Sequence, residues 1–397
     1  MSLVGAAAMA AALAAAPSGP ASAQATFQTP VPSAILLDGE TGTILFEKDA
    51  DRAFAPASLT KAMTANVVFS QLKAGKITPD TPFVVSVNAW RRGGGPSGGA
   101  AMFADVNKPV RVVDLLAGAL VVSGNDAAIT LAEGIAGTES EFAGLMNEAA
   151  SSLGMSHSSF RNATGFADAG QVSTARDMAT LARHIILTYP DFYPVFAQEG
   201  IDWNKIKQRN RNTLLNGGFG ADGLQTGWLK DVGYHALTSA VQNKQRLIAA
   251  TMGAKSEKER LDETRRLLEW GFGAFRHRQI FAADQEVGRA SVFGGAAGTV
   301  GLAAKGPVSL LTPRAGNEKV TAKVVYQGPL RAPVAKDPQV GRLEIPRGQT
   351  KVLDLPLYTT GDVPVGSLWD RALDGSFTLM GDSMRDVART AVAKVQK

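Results

Sequence analysis

The sequence predicts an α/β domain, then a small all-β domain, and finally a C-terminal amphipathic helix. Apolar runs at residues 33–37 and 43–46 flank a turn that contains two glycines, which is the pattern of a strand, a turn and a strand. A mainly helical stretch follows from residue 57 to about 189, and strand character returns over residues 222–254. Strands at both ends of a helical block indicate an α/β domain. The β-rich texture beyond about His277 indicates a second domain.

Residues 1–23 are predicted to be a signal peptide. Residues 3–16 form an apolar run that is too short to span a bilayer. Ala21-Ser22-Ala23 then provides the small residues of a cleavage site, so the mature chain would begin at Gln24. No Lys or Arg precedes the run, and a disordered alanine-rich leader is the alternative. We expect an exported, periplasmic protein.

Two domains are predicted between this leader and the tail. Residues 24–277 contain the α/β domain, in which residues 234–241 and 246–252 form a β-hairpin and residues 257–272 form a charged amphipathic helix. Residues 278–363 are predicted to be a β-sandwich domain, because short β-rich runs alternate with Gly, Pro and Asn. This second domain contains no catalytic grouping of residues.

Residues 364–397 predict a tail that contacts a membrane surface. Basic side chains lie away from one apolar helical face, and aromatic residues precede the helix. The apolar face consists of Met384, Val387, Ala388, Ala391, Val392 and Val395. A helix docked on its own protein is the alternative. The membrane interpretation implies peripheral association with the outer face of the inner membrane.

The composition narrows the classes of function. With 45% hydrophobic and 19% charged residues, the chain of 397 residues fits a globular protein rather than a disordered one. A net charge of +5 and a pI near 9.3 favour contact with anionic surfaces, and no nucleic-acid-binding signature accompanies this charge. The absence of cysteine excludes disulfides and thiolate catalysis. With four histidines and no nucleotide-binding glycine loop, no metal or organic cofactor is expected.

The first candidate site lies at the start of a predicted helix, in the sequence Ala57-Ser58-Leu59-Thr60-Lys61. Residues three apart share a helical face, so Ser58 and Lys61 would present a hydroxyl and an amine side by side. A serine hydroxyl becomes a nucleophile when a base takes its proton, and a desolvated lysine can be that base. The spacing alone is weak evidence, because Ser70 and Lys73 repeat it in the same helix.

The second candidate site is Ser123-Gly124-Asn125, between two apolar helices. Its hydroxyl and amide suit proton transfer and a hydrogen bond to a substrate carbonyl. An ordinary turn, with Asp126 as the N-cap of the second helix, is the alternative.

The third candidate site is Gln225-Thr226-Gly227-Trp228, which enters a strand. The glycine permits close approach of another backbone, and the strand edge could pair with an extended peptide. A β-turn is the alternative. The order Ser-x-x-Lys, Ser-x-Asn and Thr-Gly is that of penicillin-binding proteins and serine β-lactamases.

With these motifs, the sequence resembles the D-alanyl-D-alanine carboxypeptidases, which are low-molecular-weight penicillin-binding proteins of the 5/6 type. The resemblance extends from about residue 31 to 370. Stretches that carry it include residues 57–61, 122–127, 162–165, 173–178, 210–212, 222–224, 306–308 and 326–330. It implies a penicillin-binding or β-lactamase-like transpeptidase domain, an antiparallel sheet with helices, followed by the β domain. It also implies peptidoglycan stem peptides as substrates and β-lactams as covalent inhibitors.

The resemblance assigns roles to the motif residues. Ser58 would attack the carbonyl between two D-alanines and form an acyl-enzyme, with Lys61 as general base. Ser123 would relay a proton to the leaving amine, and Asn125 would hold the substrate amide. The backbone N–H groups of Ser58 and Trp228 would form the oxyanion hole, each contact being worth roughly 3 kcal/mol.

Two departures from the family pattern affect this assignment. The family has Lys-Thr-Gly, commonly followed by His, where this chain has Gln225-Thr226-Gly227-Trp228. The family lysine provides charge for the substrate carboxylate and keeps the other lysine partly neutral. Arg211, in an Asn-Arg-Asn segment, is expected to bind that carboxylate instead. The second departure is the glycine-rich segment 93–99, which predicts a lengthened loop.

Two alternatives to an active carboxypeptidase remain at this stage. Gln225 motivates a slowed or non-catalytic family member that binds peptidoglycan or a partner. A β-lactamase shares the first two motifs. However, no Glu-x-x-Leu-Asn segment provides a deacylating glutamate, and a C-terminal β domain is not expected in that class.

Overall fold

The computed structural model describes residues 27–315, 320–347, 350–368 and 391–394. The predicted signal peptide therefore lies outside the described residues. The helices are α1 (Thr60–Lys73), α2 (Val87–Gly93), α3 (Val112–Leu120), α4 (Asn125–Ala136), α5 (Glu139–Ser152), α6 (Ala175–Thr188) and α7 (Glu257–Ala274). The first nine strands are β1 (Ser33–Asp38), β2 (Ile44–Lys48), β3 (Pro82–Val84), β4 (Pro109–Arg111), β5 (Gly200–Trp203), β6 (Ile206–Arg209), β7 (Ala221–Leu229), β8 (Gly233–Gln242) and β9 (Gln245–Ala254). The later strands are β10 (Phe275–Phe281), β11 (Glu286–Phe293), β12 (Thr299–Ala303), β13 (Val308–Pro313), β14 (Thr321–Tyr326), β15 (Leu330–Arg331), β16 (Gln339–Arg347), β17 (Thr350–Thr359) and β18 (Ala391–Lys394).

The first domain is organised around a five-stranded antiparallel sheet in the order β2-β1-β9-β8-β7. Strands from both ends of the helical block meet in it, as the sequence predicts. Because successive side chains on a strand point to opposite faces, β1 serves two cores. Ile35 and Leu37 pack against the helical block, whereas Ala34 and Leu36 pack on the side that α7 covers.

Helix α1 is the central helix of the block. Its residues 60–69 are all buried, which is typical of a helix enclosed on all sides. It ends at a left-handed glycine, Gly75, whose N–H donates to the carbonyl of Leu72 at 3.0 Å. The other end of α1 faces β7, so the first and third motifs meet there.

The second domain is all-β, as predicted. Its seven-stranded sheet has the order β15-β11-β12-β17-β16-β14-β18, and the β10–β13 pair forms a separate two-stranded sheet. Ile280 and Leu310 from that pair share one apolar core with Val324 and Leu343 from the large sheet. The arrangement therefore has two β layers, and α7 leads directly into β10 from the first domain.

The predicted amphipathic helix is wrong for residues 391–394, the part of that helix that the structure describes. Ala391–Lys394 form β18, which pairs with the outer edge of β14 in the register Thr321↔Lys394. An uncovered edge strand exposes unpaired N–H and C=O groups, and β18 satisfies them on β14. The remaining residues of the predicted helix lie outside the described residues. Among the described residues, no helix is both long and apolar enough to span a membrane.

Candidate active site

The turn before α1 holds Ser58 at the cleft between α1 and β7. Ala57 adopts a φ of 51°, which is uncommon for a residue with a side chain. Two glycines pack closely on this turn. A Cβ on Gly165 would lie 1.8 Å from the carbonyl oxygen of Ala57, and one on Gly227 would lie 3.1 Å from the Ser58 nitrogen. A side chain at Gly165 would therefore displace this turn, and Gly227 packs tightly against it.

Lys61 is fully buried beside Ser58. Its Nζ lies 3.1 Å from Ser58 Oγ, 2.8 Å from Asn125 Oδ1 and 2.8 Å from the carbonyl oxygen of Thr164. Burial lowers the pKa of the Lys61 ammonium to about 7, while the charge of Asp126 acts in the opposite direction. A neutral amine can donate to Asn125 and Thr164 and keep its lone pair for the Ser58 hydroxyl. The pair predicted from i,i+3 spacing is thus present with a base near its working pKa.

A compact turn presents the Thr164 carbonyl to Lys61. The side-chain oxygen of Asn162 accepts hydrogen bonds from the N–H groups of Gly165 at 2.8 Å and Phe166 at 3.1 Å. Gly165 itself has a φ of 90°, a conformation that favours glycine. Sequence reasoning used residues 162–165 only as a mark of resemblance and missed this role. The Asn-x-Thr-Gly pattern was the signal that could have indicated a fixed turn.

The Ser123–Asn125 turn joins α3 to α4. Ser123 has a φ of 60°, and the N–H of Asn125 donates to the carbonyl of Ala100 at 2.8 Å. The Asn125 side chain faces the cleft through its bond to Lys61. Ser123 Oγ is buried and has no hydrogen-bond partner among the described residues. It therefore has free hydrogen-bonding capacity in the cleft region.

Asp126 is not the N-cap of α4, contrary to the prediction. Gly124 occupies that position, and Asp126 lies inside the first turn. Its carboxylate accepts N–H bonds from Met102 at 2.8 Å and Ala104 at 3.0 Å. Burial raises the pKa of this carboxyl, and the backbone hydrogen bonds oppose the shift. Asp126 thus fixes the segment of residues 100–104 against the Ser123–Asn125 turn.

The β7 side of the cleft carries the third motif. Gln225 is buried, and its Nε2 donates to the carbonyl of Leu120 at 2.8 Å. Leu120 is the last residue of α3, so the amide ties β7 to the helical side without adding charge. Thr226 is half-buried and Trp228 is 55% exposed.

His235 stabilises the β7 side of the cleft. The sequence analysis did not identify it. It is fully buried on β8, in register with Gly227. Its Nδ1 accepts from the N–H of Gly253 at 3.0 Å, so Nε2 carries the proton and donates to the carbonyl of Ala55 at 3.2 Å. Burial lowers the pKa of this imidazole to about 4. A neutral histidine therefore anchors the chain three residues before Ser58.

Arg211 is connected to the site through its backbone. Its N–H donates to the carbonyl of Val121 at 3.0 Å, two residues before Ser123. The side chain is exposed and forms no ion pair within the described part of the chain. The residues described also contain no group of three or more His, Cys, Asp or Glu side chains that could hold a metal ion.

Lys61 contacts both Ser58 and Asn125, and Gly227 packs close to the Ser58 nitrogen. Comparisons with known proteins identify the family of the chain. The profile described as D-alanyl-D-alanine carboxypeptidase, peptidase S11, matches residues 20–256. The profile described as the C-terminal domain of penicillin-binding protein 5 matches residues 275–365.

Individual relatives are similar over most of the chain. The D-alanyl-D-alanine carboxypeptidase DacC of Escherichia coli K12 is 36% identical over 344 residues, covering 86% of each chain. The structure of penicillin-binding protein 5 from Haemophilus influenzae has a TM-score of 0.76 and 34% identity, covering 86% of this chain and 100% of that one. Penicillin-binding protein D2 from Listeria monocytogenes, in its ampicillin-bound form, has a TM-score of 0.54 and 29% identity, covering 63% of this chain and 100% of its own. The chain therefore belongs to the peptidase S11 family of D-alanyl-D-alanine carboxypeptidases.

Proposed function

We propose that the chain removes the terminal D-alanine from peptidoglycan stem pentapeptides through an acyl-enzyme on Ser58. The observation that carries this proposal is the buried Lys61, 3.1 Å from Ser58 Oγ, with its pKa lowered to about 7. An amine that is neutral about half the time near pH 7 can take the serine proton as the hydroxyl attacks.

The reaction would proceed in two stages. In the first, Ser58 Oγ attacks the carbonyl between the two D-alanines, its proton passes to Lys61, and the tetrahedral intermediate expels D-alanine after its amine is protonated. Ser123, whose hydroxyl is buried without a partner in the described residues, is suited to relay the proton from Lys61 to that amine. In the second stage, water attacks the ester, its hydroxyl forms the carboxyl group of the shortened peptide, and its other proton restores the Ser58 hydroxyl.

The backbone of β7 would hold the substrate and its developing charge. The close approach of Gly227 to the Ser58 nitrogen supports an oxyanion hole formed by the N–H groups of Ser58 and Trp228. Asn125 would bind the substrate amide. The second amide N–H of Gln225, which the bond to Leu120 does not use, and the Thr226 hydroxyl would hydrogen-bond the terminal carboxylate. The exposed guanidinium of Arg211 would provide the positive charge beside it.

β-Lactams would acylate the same serine. A relative in this fold has been solved in an ampicillin-bound form, which supports Ser58 as the target of such inhibitors. The same comparison supports the use of a labelled penicillin as a probe of the nucleophile.

We further propose the organisation that the sequence predicts. Residues 1–23 would direct export, residues 24–277 would form the catalytic domain and residues 278–363 the β domain. Residues 364–397 would associate peripherally with the outer face of the inner membrane from the periplasm. The basic residues near the C-terminus support the last part, because anionic headgroups attract them.

Gln225 favours a second candidate, a family member that binds peptidoglycan without useful turnover. A lysine at this position would place a positive charge in the cleft, whereas the Gln225 amide is neutral and already bonded to Leu120. The same cleft would then capture stem peptides and release them uncut.

Covalent labelling by a fluorescent penicillin, followed over time, tests the proposal, with Ser58→Ala as the control. We expect labelling in the unmodified chain and none in Ser58→Ala. Release of D-alanine from a pentapeptide then separates the two candidates. A folded protein that takes up the label but releases no D-alanine would be the binding protein. One that is not labelled at all would contradict the assigned nucleophile.

A further inference from the structure

The β5–β6 hairpin carries four cations at alternate positions of the sequence Lys205-Ile206-Lys207-Gln208-Arg209-Asn210-Arg211. Lys205 lies in the turn, Lys207 and Arg209 lie on β6, and Arg211 lies two residues beyond the end of the strand. All four residues are exposed, and none forms an ion pair with another described residue. The other residues of this stretch are neutral.

Strand alternation places Lys207 and Arg209 on one face of the hairpin. Gln208 and Asn210 point into the protein, where Gln208 Nε2 donates to the carbonyl of Ala101 at 3.1 Å and Asn210 Nδ2 donates to that of Gln198 at 2.8 Å. Lys207 and Arg209 therefore point outward, roughly 6.6 Å apart along β6. Arg211, beyond the end of β6, is exposed as well. We call the surface formed by these three residues and Lys205 the cationic face.

One carboxylate lies within the cationic face. Asp202 is in register with Lys207 across the hairpin, and the two side chains form no ion pair. Glu199 is also exposed, but it lies opposite Asn210, whose side chain points inward. The carbonyl of Glu199 accepts the N–H of Asn210 at 2.8 Å. Cations thus outnumber the acid on the outer face.

The hairpin that carries the cationic face packs against segments of the catalytic cleft. Two side chains of the hairpin donate hydrogen bonds to the neighbouring loop. Gln208 Nε2 donates to the carbonyl of Ala101, and Asn204 Nδ2 donates to that of Phe103 at 2.8 Å. Ala100, next to this contact, accepts the N–H of Asn125 at 2.8 Å. The far end of the face, at Arg211, is bonded to Val121 near Ser123. A ligand on this face would therefore lie beside a peptide held in the cleft.

We propose that the cationic face is a docking surface for a carboxylate-bearing segment of the peptidoglycan polymer, outside the stem peptide that is being cut. This inference rests on the proposed function, which brings that polymer to the cleft. Lys205, Lys207 and Arg209 remain available when Arg211 binds the terminal carboxylate. Cations without interleaved aromatic residues suit a flexible polyanion, because binding then needs charge and spacing rather than shape. Anionic lipid is the competing occupant. The polymer is favoured because the hairpin packs against segments of the cleft, at Ala101 and Val121.

Co-sedimentation of the full chain with purified cell-wall sacculi tests this inference. Lys207→Glu with Arg209→Glu reverses two cations that lie outside the catalytic machinery. Lys76→Glu with Lys336→Glu is the matched control for net charge, since both lysines are exposed and lie elsewhere. Lys76 follows the C-terminal end of α1, about 20 Å along the helix from Ser58. Lys207→Gln with Arg209→Gln serves if charge reversal prevents folding.

We expect the hairpin variant to bind sacculi at least about tenfold more weakly, and the control variant to bind like the unmodified chain. Added salt should weaken binding of the unmodified chain more than that of the hairpin variant. Equal sedimentation of the hairpin and control variants would overturn the inference. The inference would also be overturned if the hairpin variant lost binding only to vesicles containing anionic phosphatidylglycerol and still bound sacculi like the unmodified chain.

Hydrolysis of a diacetyl-lysyl-D-alanyl-D-alanine tripeptide separates this test from that of the proposed function. This substrate carries only its terminal carboxylate, so the hairpin variant should cleave it and take up penicillin at the unmodified rates. Loss of penicillin labelling in every chain would instead contradict the proposed function. Selective loss of sacculus binding can still be measured in that case.

Discussion

The two sides of the catalytic cleft differ in how firmly their side chains are held. On the helical side, Lys61 is enclosed and bonded to Asn125 and Thr164. On the β7 side, the Gln225 amide donates a hydrogen bond to the carbonyl of Leu120, and Trp228 is exposed to solvent. The proposed nucleophile and base therefore depend on buried contacts between distant segments. In the proposed function the substrate carboxylate is bound on the β7 side, so substitutions there should alter binding without removing the proposed nucleophile.

The largest expected effect comes from removing the proposed base, Lys61, on the helical side. Lys61→Met should slow acylation by a fluorescent penicillin by on the order of 10²–10⁴-fold, because general-base assistance is lost. In the unmodified chain, acylation should rise with pH and level off above about 7, since the amine must be neutral to accept a proton. The measurement is the labelling rate from pH 5 to 9.

Lys73→Met is the matched control, because Ser70 and Lys73 repeat the Ser-x-x-Lys spacing at the other end of α1. Lys73 Nζ donates to the carbonyl of Thr188 at 3.1 Å, far from the nucleophile. This variant should be labelled at the unmodified rate. A Lys61→Met chain that melts normally and is acylated normally would show that another group is the base.

Gly165 tests whether the helical side depends on its turn. Gly165→Ala places a Cβ 1.8 Å from the Ala57 carbonyl at a φ of 90°, so the turn or Ser58 must shift. We expect a loss of about 3 kcal/mol in the free energy of unfolding, together with slower labelling. Gly144→Ala, on an exposed position of α5 with open space around it, should be neutral or stabilising in thermal melts. Equal stability of the two variants would refute the close contact.

The pH dependence of the free energy of unfolding tests whether His235 stabilises the β7 side. Its pKa is lowered to about 4 in the folded chain, so between pH 6.5 and 4 the unfolded state binds the additional proton. Stability should therefore fall as pH falls, by about 2 kcal/mol from pH 6.5 to pH 5. In His235→Gln this contribution should vanish, leaving a shallower pH dependence in urea unfolding. Parallel curves for the two chains would exclude His235 as its source.

The sequence could predict contacts between residues that are close in the chain, but not contacts between residues that are far apart in it. Ser58 and Lys61 are three residues apart, so helical geometry alone brings them together. Thr164 lies 103 residues from Lys61, and Ala55 lies 180 from His235, so no local pattern indicates either bond. Asp126 illustrates the same limit. Its position suits a cap, but N–H groups from a distant loop compete for its carboxylate.

Periodicity failed at the tail for a related reason. A repeat of apolar and basic residues at helical spacing predicts a helix when the segment is considered without the rest of the protein. Ala391–Lys394 instead meet the open edge of β14, and backbone pairing there replaces helical hydrogen bonds. The α/β domain was predicted correctly because β1 and β2 are joined by a local turn, as are β8 and β9. The assignment of the family came from the order of motifs.

The smallest expected effect concerns the charge that the β7 side lacks. Gln225→Lys would place a cation near Lys61 and the site of the substrate carboxylate, so KM for a pentapeptide should fall by about tenfold. A second positive charge disfavours protonated Lys61, so the rise of acylation with pH should move to lower pH. Gln225→Met, of similar length and uncharged, also loses the bond to Leu120 and controls for that loss. If Met and Lys change KM alike, charge on β7 is not what limits binding. If only Lys lowers KM, the two sides have separate roles, chemistry on the helical side and carboxylate affinity on β7.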